Sequence, residues 1–216
     1  MPKALRFLLS IWLIPVGALL WLKGQDALLI QRLTVDLTAS AGVPPYTGLL
    51  SNAGITLWLV SGSILLFTAA HSKGGKALLL PGILSLMLGL DDGLMLHETV
   101  LPGLLGIHDR LVQPALYCVY AALLGLALSR RRPQMSQPHF LILLAALLCL
   151  GASVALDLLR DSHWIPARHP LMLDEALFMW WEDGLKLLGI VAWSGYWIGQ
   201  ASEEVVTGNL EQSSPG

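Results

Sequence analysis

The sequence predicts an all-α protein, a transmembrane helical bundle of about six spans. The 216-residue chain is 55% hydrophobic and only 13% charged, whereas soluble domains average about 25% charged residues. Its apolar residues gather into stretches near the length of about 20 residues that a helix needs to cross a hydrocarbon core. The ionisable residues are clustered at a few places along the chain, which is typical of a membrane protein with a polar site.

Six apolar stretches account for the predicted spans, near residues 5–22, 49–70, 77–97, 111–129, 139–158 and 173–199. The first stretch follows Lys3 and Arg6 but has no small-residue cleavage site after it, so we expect an uncleaved helix. Residues 24–48 are mixed in character and end at Pro44-Pro45, as in an interfacial helix. Residues 1–200 therefore form the predicted membrane domain, and the polar residues 201–216 form a disordered tail.

The basic residues set the predicted orientation. Positive charge concentrates in cytoplasmic loops, and the compact run Arg130, Arg131 and Arg132 is the strongest such signal in this chain. We therefore expect a bacterial inner (plasma) membrane protein with both termini in the cytoplasm. This orientation places the acidic run that begins at Asp91 at the outer face.

Several ionisable residues fall inside or at the ends of the predicted spans. Each aspartate at a helix centre costs about 2.5–3.5 kcal/mol on insertion scales, so such residues face the bundle interior and mark functional sites by default. Glu182 lies about ten residues into the last span, which places it ~15 Å deep, near the midplane. The predicted ion or proton pathway consists of Asp91, Asp92, Asp157, Glu175, Glu182, Asp183 and Lys186.

Imidazole and carboxylate groups at the outer face also allow a divalent metal, namely zinc, manganese or iron. The candidate ligands are His97, Glu98, Asp92 and His163. The sequence has no H-E-x-x-H and no C-x-x-C motif, so the metal interpretation depends on the clustering of these residues and not on a recognised spacing.

Two short stretches share one pattern. "DDGLML" at 91–96 and "EDGLKL" at 182–187 both read acid-Asp-Gly-Leu-x-Leu, on the third and sixth predicted helices. Two units of three helices would have opposite topology, and inverted repeats with polar groups at their interface are typical of transporters. The pattern therefore favours two three-helix inverted repeats.

The acidic pair Asp91-Asp92 with His97-Glu98 on one helix, and Glu182-Asp183 followed by Leu188-Gly189 on another, resembles a group of bacterial multi-pass membrane proteins of unknown function. This resemblance implies a membrane fold but no activity. A looser analogy connects the chain to the membrane hydrolases that include alkaline ceramidases, which bind zinc through histidines and an aspartate. The chain departs from them because it has one fewer predicted span and no paired histidines on a late helix.

Three functional interpretations follow, and whether the protein is an enzyme stays open. The first is binding and transport of a small cation or proton, and the second is a metal-dependent membrane-embedded hydrolase of a lipid-like substrate. The third is a structural membrane protein in which Glu182 pairs with Lys186 and the outer aspartates pair with Arg160. We expect the lipid bilayer to be a partner of the protein. We expect no nucleic-acid partner, because the net charge is -2 and no basic stripe is present.

Overall fold

The computed structural model describes residues 16–17, 20–21, 23–25, 41–44, 46–72, 74–131, 137–161 and 175–213. The chain divides into two compact units, residues 1–47 and 48–216. In the first unit, only short pieces are described, including helical residues around Gly17 and Trp21. The predicted span near 5–22 and the predicted interfacial helix over 24–48 therefore lie largely outside the described residues.

The described part of the second unit contains six α-helices and no strand, as the composition predicts. A 3-10 turn, Gly75–Leu78, leads into the second helix, and a π-helical turn, Leu96–Val100, follows it. The α-helices are α1 (Leu49–His71), α2 (Leu79–Leu94), α3 (Leu101–Leu105), α4 (Asp109–Arg131), α5 (Gln137–Asp161) and α6 (Glu175–Ser213).

Four segments are long and apolar enough to cross a membrane. They are Leu49–His71, Gly75–Leu94, Asp109–Ser129 and Phe140–Leu159. These four match the predicted spans near 49–70, 77–97, 111–129 and 139–158. The predicted span near 173–199 falls within α6, which is longer than any of them but carries charged residues in its first third.

The core of the second unit forms where α6 packs against α1 and α5, and where α1 packs against α2. Trp193 and Trp197 on α6 and Leu65 on α1 are almost completely buried. A Cβ added at Gly62 of α1 would lie 3.0 Å from the carbonyl oxygen of Gly82 on α2. The absence of a side chain at these two positions lets α1 and α2 approach closely, as small residues do between membrane helices.

Contacts at two heights show that α6 runs antiparallel to α2. Lys186 on α6 contacts Asp92 near the end of α2, and Glu204 on α6 lies against Gly74, just before the 3-10 turn. Positions 74 and 92 are eighteen residues apart, and so are positions 186 and 204. Eighteen residues correspond to a helical rise of about 27 Å. This rise is close to the hydrocarbon thickness of about 30 Å, so α6 extends across the full height of α2.

Two predicted boundaries differ from the structure. The helix predicted to reach residue 97 ends at Leu94, because Met95 adopts a left-handed conformation with φ 51°. The tail predicted to be disordered from Ala201 is helical as far as Ser213. Alanine, glutamate and glutamine are good helix formers, and the first proline after this point is Pro215.

Candidate functional site

The site is built around the break at the end of α2. The backbone N–H of His97 donates to Asp91 Oδ1 over 3.0 Å, while the imidazole Nδ1 lies 2.9 Å from Asp91 Oδ2. Both residues are buried, at 3% exposure for Asp91 and 5% for His97. Asp91 therefore stabilises the left-handed turn at Met95, a conformation that costs an L-residue roughly 1–2 kcal/mol.

The other imidazole nitrogen faces two further polar groups. His97 Nε2 is 3.4 Å from Glu98 Oε1 and 3.5 Å from the hydroxyl of Tyr117 on α4. The rings of His97 and Tyr117 are also close, with centroids 5.6 Å apart. His97 is thus the meeting point between the end of α2 and the first half of α4.

A third acid continues this chain of polar groups. The Tyr117 hydroxyl donates to Asp157 Oδ2 on α5 over 3.5 Å. Gln113, one helical turn before Tyr117, donates to the Tyr117 hydroxyl over 3.2 Å and also to Asp157. A continuous series of polar side chains therefore connects Asp91 on α2 with Asp157 on α5 by way of Tyr117 on α4.

Lys186 forms an ion pair with Asp92 of α2. In the structural interpretation of the sequence, Lys186 pairs with Glu182 at i,i+4 and the outer aspartates pair with Arg160. In the structure, Asp92 lies against Lys186 and Asp91 contacts His97, and the side chain of Arg160 lies outside the described residues. The Lys186 side chain is 37% exposed and that of Asp92 is 14% exposed, so the pair lies at the edge of the protein interior.

These groups line one cavity of about 330 Å³. The ionisable side chains that line it are Asp91, Asp92, His97, Glu98, Asp157, Glu182 and Lys186. The apolar lining comes from Trp58, Leu84, Leu88, Leu124, Leu147, Leu150, Val154 and Trp193. The cavity therefore combines a charged side with a wall of aliphatic and aromatic groups, and α1, α2, α4, α5 and α6 all contribute to it.

Burial and charge act in opposite directions on His97. Burial disfavours the imidazolium and lowers the pKa of His97, but the neighbouring Asp91 carboxylate favours the charged ring, and Glu98 and Asp157 add to it. The carboxylates outweigh burial, so the pKa of His97 is raised above its ordinary value of 6.5. The side chain is thus suited to hold a proton near neutral pH.

Not every residue of the predicted site lies in the cavity. Asp183 is exposed and does not line it, because consecutive residues on a helix point about 100° apart. Glu175 is the first residue of α6 and its side chain is not described, and His163 lies outside the described residues. The predicted pathway thus retains Asp91, Asp92, Asp157, Glu182 and Lys186.

The depth of the site also differs from the expectation for Glu182. Lys186 contacts Asp92, which is in the last turn of α2, and Glu182 lies one turn closer to the start of α6. Trp180 and Trp181, both more than half exposed, precede Glu182 directly, and tryptophans gather at membrane interfaces. These contacts place Glu182 near one end of the spans and not at their middle.

Three of the four predicted metal ligands, His97, Glu98 and Asp92, are described, and His163 lies outside the described residues. In the stretches that the structure describes, no three His, Cys, Asp or Glu side chains are grouped to hold a metal ion. His97 and Glu98 lie together, but Asp92 contacts the Lys186 ammonium. Hydrogen bonds and ion pairs join the described polar side chains of the site.

Sequence reasoning missed the uncharged polar members of the network. Gln113 and Tyr117 are neither charged nor metal ligands of the expected kind, and they lie within an apolar span. Their spacing of four residues places both on one face of α4. A search for polar residues at i,i+4 within the apolar stretches would have found this pair.

The fold and the site together define a class, an all-helical protein with several helices fit to cross a membrane and an acidic, histidine-containing cavity at one end of them. The chain belongs to the family described as Domain of unknown function (DUF8692), whose model matches residues 7–198. No curated protein and no solved structure matches the chain.

Proposed function

We propose that the protein binds protons and moves them, or a cation exchanged for them, through the cavity at the end of α2. The observation that carries this proposal is the series Asp91, His97, Tyr117 and Asp157, in which each polar group contacts the next inside one cavity. Chains of acids and histidines within membrane domains are typical of proton relays in pumps and transporters.

The geometry supports proton transfer in a specific way. Neutral His97 with its proton on Nδ1, beside Asp91, leaves Nε2 as an acceptor for the Tyr117 hydroxyl. When Nε2 gains a proton, it becomes a donor, and the Tyr117 hydroxyl then donates to Asp157. Rotation of a single hydroxyl group therefore links the protonation of His97 to Asp157.

The ion pair between Asp92 and Lys186 has a complementary role in this proposal. The pair joins α2 to α6 beside the relay. Its formation and breakage would therefore change the electrostatic potential within the cavity. Cation exchange at the site would use the same carboxylates. Among them, Glu98 is exposed and Glu182 is half-buried.

The proposal includes the membrane placement. We infer six spans, in a bacterial inner membrane, with both termini in the cytoplasm and the cavity near the outer face. The basic run at Arg130 supports this orientation, and the two acid-Asp-Gly-Leu stretches contribute Asp92 and Lys186, which meet at the cavity. That contact between the two stretches is compatible with two inverted three-helix units.

Proton flux into liposomes that contain the purified protein tests the proposal. A pH-sensitive dye inside the vesicles reports proton entry when a potassium diffusion potential is imposed. We expect His97→Gln to reduce the flux at least tenfold, because it removes the relay's central group. The matched control is His108→Gln, since His108 is 66% exposed and does not line the cavity. Equal flux in the two variants would contradict the proposal.

Metal-dependent hydrolysis of a lipid-like substrate is the second candidate function. One observation favours it, namely that His97, Glu98 and Asp157 share their cavity with an apolar wall that suits an acyl chain. Metal analysis of the purified protein separates the two functions. Zinc, manganese or iron bound at one ion per chain in the wild type and lost in His97→Gln would favour the hydrolase and count against proton transfer.

A further inference from the structure

The cavity is larger and more apolar than a proton or a small inorganic cation requires. Its volume is about 330 Å³, the space of about eleven water molecules, and known small-molecule sites begin at about 300 Å³. Leucine, valine and tryptophan side chains from five helices form its wall. Contact of an apolar group with this wall removes apolar surface from water, which is favourable.

The charged side chains that are described along the cavity are mostly acidic. Among the described side chains that line it, five are carboxylates, one is the Lys186 ammonium and one is the His97 imidazole. Even with His97 protonated, acids outnumber bases. An anionic ligand is therefore disfavoured and a cationic group is favoured.

Four aromatic side chains also line the cavity. Trp58 and Trp193 pack edge to face with centroids 5.5 Å apart, and both line the cavity. The indole N–H of Trp193 donates to Ser85 over 2.9 Å, so its hydrogen-bonding capacity is satisfied within the protein. Tyr117 and Tyr120 also line the cavity. Aromatic faces attract organic ammonium groups and tolerate their attached carbon chains.

We propose that the cavity binds an amphipathic organic cation, an ammonium group on a single hydrocarbon chain, with the chain against the leucine and tryptophan wall and the ammonium among the carboxylates. This inference rests on the proposed function, because the organic cation would be the one that the protein exchanges for protons at the same site. A free alkylamine and the amine headgroup of a lipid share this chemistry. The volume of about 330 Å³ is at the lower end of known small-molecule sites, which favours a single short chain over a two-chain lipid.

Gly151 on α5 offers a direct way to fill the cavity. It lines the cavity, and a Cβ added there would meet no atom within 4 Å, so Gly151→Leu adds an apolar side chain without an immediate clash. Gly199 on α6 also has no atom within 4 Å of an added Cβ, but it does not line the cavity. Gly199→Leu is therefore a matched control for helix propensity and for added apolar surface.

The test is calorimetric titration of the purified full-length protein in a neutral maltoside detergent. The probes are n-octylamine, n-octanol and octanoate, which have the same chain with a positive, neutral or negative head. We expect saturable binding of one octylamine per chain, at least tenfold weaker binding of octanol, and no saturable binding of octanoate. Gly151→Leu is expected to weaken octylamine binding at least tenfold and Gly199→Leu to leave it unchanged.

The outcomes separate the alternatives. Equal binding of octylamine and octanol, or unsaturable heats for all three probes, would overturn the proposal. If Gly151→Leu does not fold, the smaller change Gly151→Ala takes its place. This variant and the comparison of the three probes on the wild type then decide the question. Addition of phosphatidylethanolamine, with phosphatidylglycerol as the control lipid, identifies the source: displacement of octylamine by the first lipid only assigns the site to a lipid headgroup. Saturable octylamine binding by a protein without proton flux would refute the proposed transport and leave this inference standing.

Discussion

Removal of the Lys186 ammonium gives the sharpest prediction about stability. In Lys186→Met, the carboxylate of Asp92 keeps its place at 14% exposure but loses the cation that compensates it. Breaking a fully buried pair costs about 3–5 kcal/mol, whereas an exposed pair contributes about 0–1 kcal/mol. Since the Lys186 side chain is 37% exposed, solvent screens part of the interaction, and we expect a loss of about 2–3 kcal/mol, between these limits.

The double variant Asp92→Asn with Lys186→Met makes the prediction specific. It removes both charges, so no unpaired carboxylate is left near the interior, and replacing such a pair by neutral groups is often close to neutral. We expect the double variant to lie within about 1 kcal/mol of the wild type. The difference between the single and double variants measures the coupling between the two residues.

Unfolding of the purified protein by titration of a denaturing detergent, followed by tryptophan fluorescence, provides the free energies. Lys76→Met is the matched control, because Lys76 is exposed in the 3-10 turn at the other end of α2. We expect the control to change stability by less than about 0.5 kcal/mol. If Lys186→Met is as stable as Lys76→Met, the ion pair does not hold α2 to α6, and the assignment of Asp92 as the partner of Lys186 is refuted.

Two further predictions concern packing and pH. Gly89→Ala should destabilise the protein by about 1–3 kcal/mol, because the new Cβ would lie 2.9 Å from the Cβ of Trp58; wild-type stability in the same unfolding assay would contradict this. The pKa of His97 is raised in the folded protein, so its contribution to stability is complete below about pH 6.5 and is lost as the pH rises through the folded value. Thermal unfolding between pH 5 and 9 should show this loss in the wild type and not in His97→Gln, and the same pH dependence in both would exclude His97 as its source.

The sequence predicted several of the charges that share the cavity. Asp92, His97, Asp157 and Glu182 lie on three different predicted spans, yet all line it, because an ionised group in the hydrocarbon has no other low-energy place than the bundle interior. The same argument failed for Asp183, which is exposed. Hydropathy predicts that an acid avoids lipid at depth, but it does not give the direction of one side chain near the end of a span.

Sequence periodicity did not predict which side chains pair with each other in the cavity. The spacing of Glu182 and Lys186 allows a pair within one helix, but it does not reveal that the approach of α2 places Asp92 against the lysine. The end of α2 was not predicted either. A left-handed methionine is rare, and the conformation of Met95 depends on contacts between Asp91 and His97. Both features arise from how helices meet, which a pattern on one helix does not contain.

The central claim, that the cavity moves protons, is tested most directly at Asp157, the far end of the relay. Proton flux into potential-driven liposomes is to be compared for Asp157→Asn and Asp109→Asn, which make the same change inside and outside the cavity. The account predicts at least a tenfold loss of flux for Asp157→Asn and wild-type flux for Asp109→Asn. Flux that survives unchanged in Asp157→Asn, or a wild-type protein no more permeable to protons than empty liposomes, would contradict it.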